Sequence, residues 1–233
     1  MVAATNLVLV PGLLCTKALW AAQTAALGDI ADMRVADHTG HDSMSAIAKS
    51  ILAAAPARFA LAGLSMGGYI AYEILRQAPE RVTRLALLDT GYRADAPERR
   101  EQRLALMALA EREGARQAQE TLLPALIHKS RLTDKALVEA VLQMGTDTGT
   151  PAFKRQQTAL MGRPDNASLL ASIRCPTLVI VGREDALTPP ELAQEIARGI
   201  RGAKLEIIRE CGHLSTMEQP VAVNRAIRAW LTG

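Results

Sequence analysis

Short apolar runs alternate with amphipathic segments over the first ninety residues of the chain. Four apolar runs predict buried strands, at residues 6–10, 33–37, 59–64 and 82–88. The segments between them predict helices at residues 19–27, 45–55 and 66–77, and the last of these ends before Pro79. Strands that are almost continuously apolar and alternate with helices are typical of a parallel sheet covered on both faces.

A different pattern covers residues 91–174. Charged helical runs at 98–116 and 134–143 are separated by Gly and Pro, and we predict no strand there. The alternation resumes with predicted strands 177–182 and 204–208 and predicted helices 190–198 and 220–231. We therefore predict an α/β core at residues 1–90 and 175–233, with residues 91–174 inserted as a helical block. Because sites form at the carboxyl ends of parallel strands, we expect this insertion to cover one.

A five-residue pattern, G-x-S-x-G, lies between the predicted strand 59–64 and the helix that follows it. It reads Gly63-Leu64-Ser65-Met66-Gly67. Chance alone yields roughly 0.04 matches in a chain of this composition, and here strand, turn and helix also come in the required order. The turn is so tight that only glycine fits two positions before and after the serine. We therefore predict a strained backbone at Ser65 and an exposed hydroxyl.

A serine hydroxyl needs a base to become a good nucleophile, and the chain has four histidines. His213 follows the last predicted strand, so we place it at the same sheet edge as Ser65 and favour it as the base. His38 and His41 follow the second predicted strand. His128 lies within the helical insertion, where we expect no catalytic role.

A carboxylate is then needed to orient the imidazole and to stabilise its charged form. Asp185 follows the predicted strand 177–182 and so lies at the same edge of the sheet. The chain order Ser65, Asp185, His213 is the order expected for this type of serine turn. Asp89, which also ends a strand, and Glu184 are the alternative acids.

On these motifs the chain resembles the α/β-hydrolase family over essentially its whole length. The matching segments are the serine turn, residues 175–185, Gly212-His213, residues 79–82 and the turn Pro11-Gly12-Leu13. The resemblance implies the α/β-hydrolase fold, a doubly wound and mostly parallel sheet with an inserted helical cap that shapes the substrate pocket. It also implies that the backbone N–H groups of Leu13 and Met66 form an oxyanion hole.

The chain departs from the family pattern in three ways. Pro11 stands where most relatives have histidine, which removes a polar support of the oxyanion turn. The segment Gly40-His41-Asp42-Ser43 replaces Gly-His-Gly-x-Ser, and we expect Asp42 near the mouth of the pocket. The opening antiparallel hairpin of the family is absent because the first predicted strand begins almost at Met1, so we expect about six parallel strands.

Composition narrows the range of partners. The 27 Lys and Arg exceed the 24 Asp and Glu by only +3, too little for a nucleic-acid groove or a polybasic membrane patch. The three cysteines show no metal-binding spacing, and the N-terminal stretch fits neither a signal peptide nor a membrane span. We expect a cytoplasmic protein that binds a small-molecule substrate without a metal or other cofactor. The sequence does not specify its oligomeric state.

The main functional hypothesis is a carboxylesterase-like serine hydrolase that acts on a small ester or related carbonyl substrate through an acyl-enzyme. Since His213 must be neutral to act as the base, we expect activity to rise through an apparent pKa near ~6.5. The same scaffold also supports carbon–carbon hydrolases, lyases and perhydrolases. A receptor that binds a small ligand without catalysis is the alternative from another class.

Overall fold

The predicted parallel sheet is present in the computed structural model, which describes residues 4–233. Its strands are β1 (Thr5–Val10), β2 (Ala31–Val35), β3 (Phe59–Leu64), β4 (Val82–Leu88), β5 (Thr177–Gly182) and β6 (Lys204–Ile208). They lie in the order β2-β1-β3-β4-β5-β6, and every neighbouring pair within the described residues is parallel. This confirms the predicted α/β-hydrolase fold class, including the six strands. Residues 1–3, which we assigned to the core, lie outside the described residues.

Ten α-helices occur in the described part of the chain. They are α1 (Ala21–Ala26), α2 (Met44–Ala54), α3 (Met66–Gln77), α4 (Pro97–Glu113), α5 (Ala115–Leu126), α6 (Lys135–Met161), α7 (Ala167–Leu170), α8 (Pro190–Gly199), α9 (Ser215–Glu218) and α10 (Pro220–Thr232). Short 3₁₀ turns lie at Lys17–Trp20, Pro79–Arg81 and Lys129–Arg131. Among residues 4–233, no helix combines the length and apolar character that crossing a bilayer requires.

The two faces of the sheet are buried under different helices. Side chains alternate along a strand, so Leu7 and Leu9 of β1 point to one face while Val8 and Val10 point to the other. The first face is covered by α10 and by the 3₁₀ turn Lys17–Trp20 with Leu27, and the second by α2, α3 and α8. Burial on both faces explains why the central strands are almost continuously apolar.

The segment between β4 and β5 is helical, as predicted, but its helices differ from the predicted ones. The predicted helix 98–116 ends at Glu113 because Gly114 takes a positive φ of 92°, and α5 then begins. The predicted helix 134–143 is the first part of α6, which continues to Met161 with a break at Gly149 (φ 72°). Gly145 does not interrupt α6. Its missing side chain instead admits Gln119 of α5, since a Cβ there would lie 2.8 Å from Gln119 Cβ.

Glycines allow backbone segments to approach closely at two places on the carboxyl edge of the sheet. A Cβ on Gly67 would lie 2.1 Å from the carbonyl oxygen of Val10, and one on Gly63 would lie 2.2 Å from that of Gly67. A Cβ on Gly182 would lie 2.0 Å from the carbonyl oxygen of Gly212. The first two contacts place the start of α3 against the ends of β1 and β3, and the third places the loop after β6 against the end of β5.

We expect Gly67→Ala to lower the free energy of unfolding by roughly 2–4 kcal/mol, because the added methyl group overlaps backbone that cannot move aside. Gly40→Ala is the matched control, since a Cβ at Gly40 has no heavy atom within 4 Å. Urea denaturation of both variants measures the difference. Equal stability of Gly67→Ala and the unmodified protein would contradict the close approach of α3 to β1.

Candidate active site

Ser65 lies in the turn between β3 and α3, as predicted. The backbone of Ser65 is strained, with φ 54° and ψ −112°, and the residue is partly exposed. Hydrogen bonds on both sides hold this conformation. The Ser65 N–H donates to the carbonyl oxygen of Leu88 (3.0 Å), and Thr90 Oγ1 donates to the carbonyl oxygen of Ser65 (2.8 Å). The turn therefore presents the hydroxyl above the end of the sheet, in front of the first N–H groups of α3.

Ser65, His213 and Asp185, which the sequence analysis selected, are joined by a continuous series of hydrogen bonds. Ser65 Oγ lies 2.8 Å from His213 Nε2, and His213 Nδ1 lies 2.8 Å from Asp185 Oδ2. The carboxylate accepts the Nδ1–H, which leaves Nε2 as the acceptor for the serine hydroxyl. His213 and Asp185 are both buried. The imidazole is thus oriented to remove a proton from Ser65.

Asp185 is fixed by the loop that follows it. Its Oδ1 accepts hydrogen bonds from the N–H groups of Leu187 and Thr188, each at 2.9 Å, and its Oδ2 accepts one from Thr188 Oγ1 at 2.7 Å. Burial alone would raise the pKa of Asp185, but the charge and hydrogen bond of His213, together with the backbone and side-chain hydrogen bonds of Thr188, lower it below its usual value. The carboxyl group is therefore ionised at neutral pH. Sequence reasoning missed Thr188.

The loop that carries His213 is attached to the helical segment between β4 and β5. The N–H groups of His213 and Leu214 both donate to the carbonyl oxygen of Leu126, the last residue of α5 (3.0 and 3.1 Å). Glu218 strengthens this attachment: its Oε1 accepts from the Gly212 N–H (3.0 Å) and its Oε2 from the His128 N–H (2.7 Å). The position of the imidazole thus depends on residues between β4 and β5.

The surroundings of His213 raise its pKa above the ordinary value that we expected from the sequence. Burial by itself lowers the pKa of His213, but the charge and hydrogen bond of Asp185, aided by the charges of Asp89 and Glu218, outweigh burial and raise it above its ordinary value. His213 therefore loses its proton at a higher pH than the ~6.5 expected for an unperturbed histidine.

The two alternative acids have other partners. Asp89, at the end of β4, accepts hydrogen bonds from the Gly182 N–H (2.9 Å) and from the Ser215 hydroxyl. Burial and the nearby charge of Asp185 raise the pKa of Asp89 to about 8. Glu184 Oε2 accepts from the Cys211 N–H (3.0 Å). Asp89 and Glu184 therefore brace the loops around the site, and the carboxylate that His213 contacts belongs to Asp185.

The turn after β1 lies directly beside Ser65, since a Cβ on Gly12 would lie 3.4 Å from Ser65 Cβ. In this turn the Leu14 N–H donates to Gln156 Oε1 of α6 (3.1 Å), and His38 Nε2 lies 2.9 Å from the carbonyl oxygen of Gly12. From Pro11 we expected this turn to lack a polar support. His38 and Gln156 supply one, and the sequence alone did not indicate either residue for this role.

The backbone N–H groups of Leu13 and Met66 are those expected to form an oxyanion hole. Among residues 4–233, no hydrogen bond of the turn uses the N–H of Leu13, which lines the cavity above Ser65. Met66 is the first residue of α3, so its N–H has no partner within the helix. Neither N–H group is therefore occupied by another hydrogen bond of the described residues, as the expected oxyanion hole requires.

The remaining histidines and Asp42 lie elsewhere. His41 is exposed, and His128 Nδ1 lies 2.7 Å from Ser130 Oγ at the end of α5. Asp42 lies in a shallow surface depression beside Lys154, so the expectation that it flanks the pocket mouth is wrong. The segment after β2 passes over α6 instead, where the carbonyl oxygen of Thr39 accepts a hydrogen bond from Arg155 Nε (2.8 Å).

The two buried cysteines are unreactive as nucleophiles, and the described part of the chain has no cluster of metal-binding side chains. Burial raises the pKa of Cys15 to about 12 and also raises that of Cys211, so both thiols stay protonated. No three His, Cys, Asp or Glu side chains of residues 4–233 form a group that could hold a metal ion.

A cavity of about 280 Å³ opens onto Ser65 and His213. One wall is formed by the turn after β1 and by Leu187 and Thr188, and the opposite wall by side chains of residues 91–163. This volume lies near the lower end of the range for small-molecule sites, so the cavity fits a compact substrate.

Residues 7–226 match the model of the alpha/beta hydrolase family. Together with the fold, this match shows that the chain belongs to the alpha/beta hydrolase family.

Three similar proteins illustrate the range of that family. The pimeloyl-[acyl-carrier protein] methyl ester esterase of Nitrosomonas europaea is 28% identical in an alignment 231 positions long. The alignment covers 92% of this chain and 91% of that protein. A thermophilic esterase from Thermogutta terrifontis, solved with malate bound, is 32% identical with a TM-score of 0.89 and covers 98% of this chain and 90% of its own. A Mycobacterium tuberculosis protein bearing the name non-heme bromoperoxidase is 32% identical over 74% of this chain and 67% of its own length.

The pKa values of the two buried histidines should be shifted in opposite directions. We expect the pKa of His213 to lie above ~6.5, and that of His38, which burial lowers, to lie below it. In Asp185→Asn the pKa of His213 should fall, because burial remains while the carboxylate charge is lost. Long-range ¹H–¹⁵N NMR spectra recorded across pH measure both values. Two histidines titrating together, or an unchanged His213 in Asp185→Asn, would contradict this account.

Proposed function

We propose that this protein is a carboxylesterase-like serine hydrolase for small ester substrates. The observation that carries the proposal is the chain of hydrogen bonds from Ser65 through His213 to Asp185, at the floor of a cavity. In it Ser65 is the nucleophile, His213 the general base and acid, and Asp185 the carboxylate that orients the imidazole and stabilises its charged form.

In the first half of the reaction, Ser65 Oγ attacks the ester carbonyl carbon while its proton passes to His213 Nε2. The carbonyl oxygen becomes an oxyanion, which accepts hydrogen bonds from the N–H groups of Leu13 and Met66. As the tetrahedral intermediate collapses, the bond from carbon to the alkoxy oxygen breaks. His213 then gives its proton to that oxygen, so the alcohol leaves and the acyl group stays on Ser65.

In the second half, a water molecule takes the place of the alcohol. His213 Nε2 accepts a proton from the water, whose oxygen attacks the acyl carbon, and the same N–H groups stabilise the second oxyanion. The bond from the carbon to Ser65 Oγ then breaks, and His213 returns the proton to Ser65. The products are one carboxylic acid and one alcohol, and the enzyme is unchanged.

We further propose that residues 91–174 act as a cap on a core of residues 1–90 and 175–233. Support comes from the cavity, whose lining combines both parts of the chain, and from the hydrogen bonds of Leu126 and Gln156 to the loops of the site. In this arrangement the cap selects the small-molecule substrate and also holds the reacting groups in position.

The similar proteins favour ester hydrolysis without fixing the substrate. Two of the three are esterases by name, and one of them covers nearly the whole chain at 32% identity. The cavity of about 280 Å³ suits a compact ester.

Perhydrolysis is the second candidate, because the Mycobacterium tuberculosis relative carries a bromoperoxidase name. Carbon–carbon hydrolysis, a lyase reaction and ligand binding without turnover use the same scaffold. Chromatography of products from a substrate panel separates them. Acid plus alcohol from an ester supports the esterase, peracid formed from acid and hydrogen peroxide supports perhydrolysis, and tight binding without turnover supports a receptor.

We expect Ser65→Ala to lower kcat for 4-nitrophenyl butyrate by about 10⁴-fold or more, because the nucleophile is lost. Ser50→Ala, an exposed serine on α2, is the matched control and should keep full activity. Steady-state absorbance assays measure both. Turnover by Ser65→Ala at the rate of the control would overturn Ser65 as the nucleophile.

Gln156→Leu should lower kcat by about tenfold or more with little change in KM, because the turn that carries the Leu13 N–H loses its anchor. Gln143→Leu is the control on the same helix, where the side chain is exposed. The same assay, with thermal unfolding as a check on folding, measures the effect. A rise in KM alone would assign Gln156 to substrate binding and contradict its role in holding the turn.

A further inference from the structure

One part of the cavity lining is strongly basic. Four arginines line it, Arg93, Arg99, Arg103 and Arg163, together with a single acid, Asp95. All five belong to the helical insertion. The chemistry of ester cleavage at Ser65 does not require a positively charged wall, so these residues need another explanation.

The buried members of this group do not balance in charge. Asp95 lies between two guanidinium groups, 2.6 Å from Arg103 Nε and 2.7 Å from Arg163 Nη1. All three side chains are largely buried: Asp95 is 6% exposed, Arg103 16% and Arg163 8%. Within residues 4–233, no second carboxylate forms a salt bridge with either arginine. One positive charge is left uncompensated where burial makes it costly.

A buried amide beside this cluster also lacks a partner. Gln157 is fully buried, and its Oε1 accepts a hydrogen bond from Arg103 Nη1 (2.7 Å), which fixes the orientation of the amide. Its Nε2 has no hydrogen-bond partner within the described residues, although Gln157 lines the cavity. A buried donor without an acceptor costs about 1–3 kcal/mol, which a bound acceptor would recover.

Arg163 presents further donors. Its Nε donates to the carbonyl oxygen of Arg93 (3.0 Å) and its Nη1 to that of Leu160 (3.0 Å). Its guanidinium group stacks on the ring of Tyr69, 4.4 Å from the centroid, which holds it in place. No hydrogen bond within residues 4–233 uses Nη2. The cavity therefore offers an uncompensated positive charge, a free guanidinium edge and an amide donor.

We propose, resting on the ester hydrolysis inferred above, that this basic wall binds a free carboxylate of the substrate. A carboxylate supplies the missing negative charge and accepts hydrogen bonds from both the guanidinium edge and Gln157 Nε2. Leucines dominate the rest of the lining, among them Leu106, Leu122, Leu126 and Leu187, and suit a short carbon chain. The preferred substrates are accordingly half-esters, in which one carboxyl group is free and the other is the ester cleaved at Ser65.

Gln157→Glu tests the proposal directly, because it puts a carboxylate of nearly the same shape beside Arg103, within the basic wall. Monoethyl adipate and ethyl hexanoate serve as matched substrates that differ in a terminal carboxylate and a terminal methyl group. We expect Gln157→Glu to lower the ratio of their kcat/KM values by about tenfold or more, while hydrolysis of ethyl hexanoate continues. The melting temperature should not fall, since the new charge completes the buried cluster.

Gln143→Glu is the matched control, since it adds the same charge at an exposed position of α6 and should leave the ratio unchanged. Arg163→Gln, which removes the positive charge instead, should also lower the ratio. An unchanged ratio in a folded Gln157→Glu protein would overturn the proposal, as would an equal fall in the control.

Calorimetric binding of adipate to Ser65→Ala separates this proposal from the proposed function, because it needs no turnover. We expect adipate to bind to Ser65→Ala and to bind at least about tenfold more weakly when Gln157→Glu is added. Adipate binding without hydrolysis of either ester would support the carboxylate site and contradict the esterase. Ester hydrolysis without adipate binding would support the esterase and overturn the carboxylate site.

Discussion

The hydrogen bond between Ser65 Oγ and His213 Nε2 joins residues 148 positions apart, and the rest of the site is arranged around it. Neither residue reaches it by local structure alone. Ser65 is held in a strained turn, and His213 is held by a loop that crosses the end of β5 where Gly182 leaves room. The parallel sheet makes this meeting possible, because all of its strands end at one edge.

The helical segment between β4 and β5 contributes to the site in two ways. Its backbone and side chains hold both loops beside Ser65, through Leu126 at the His213 loop and through Gln156 at the turn after β1. Its arginines give the cavity a positive charge. In the proposed function, the same helices shape the substrate cavity and hold the loops of Ser65 and His213 in place. A mutation there that changes the substrate preference can therefore also displace the reacting groups.

Local patterns in the sequence were sufficient to predict the sheet and the proximity of Ser65, Asp185 and His213. Apolar periodicity locates the strands, and each of the three residues follows the end of a strand. They were insufficient for Thr188, Gln156 and Glu218. These side chains act through contacts between distant segments, and an isolated polar residue in the sequence carries no sign of such contacts. The pKa direction of His213 was missed for the same reason, since it depends on charges brought close by folding.

A crystal structure of the protein after reaction with a 4-nitrophenyl phosphonate tests the central claim most directly, because the adduct imitates the tetrahedral intermediate. The account predicts phosphorus bonded to Ser65 Oγ, His213 Nε2 still within hydrogen-bond distance, and the phosphoryl oxygen about 3 Å from the backbone nitrogens of Leu13 and Met66. Phosphorus on another residue, or a phosphoryl oxygen turned away from both nitrogens, would contradict it.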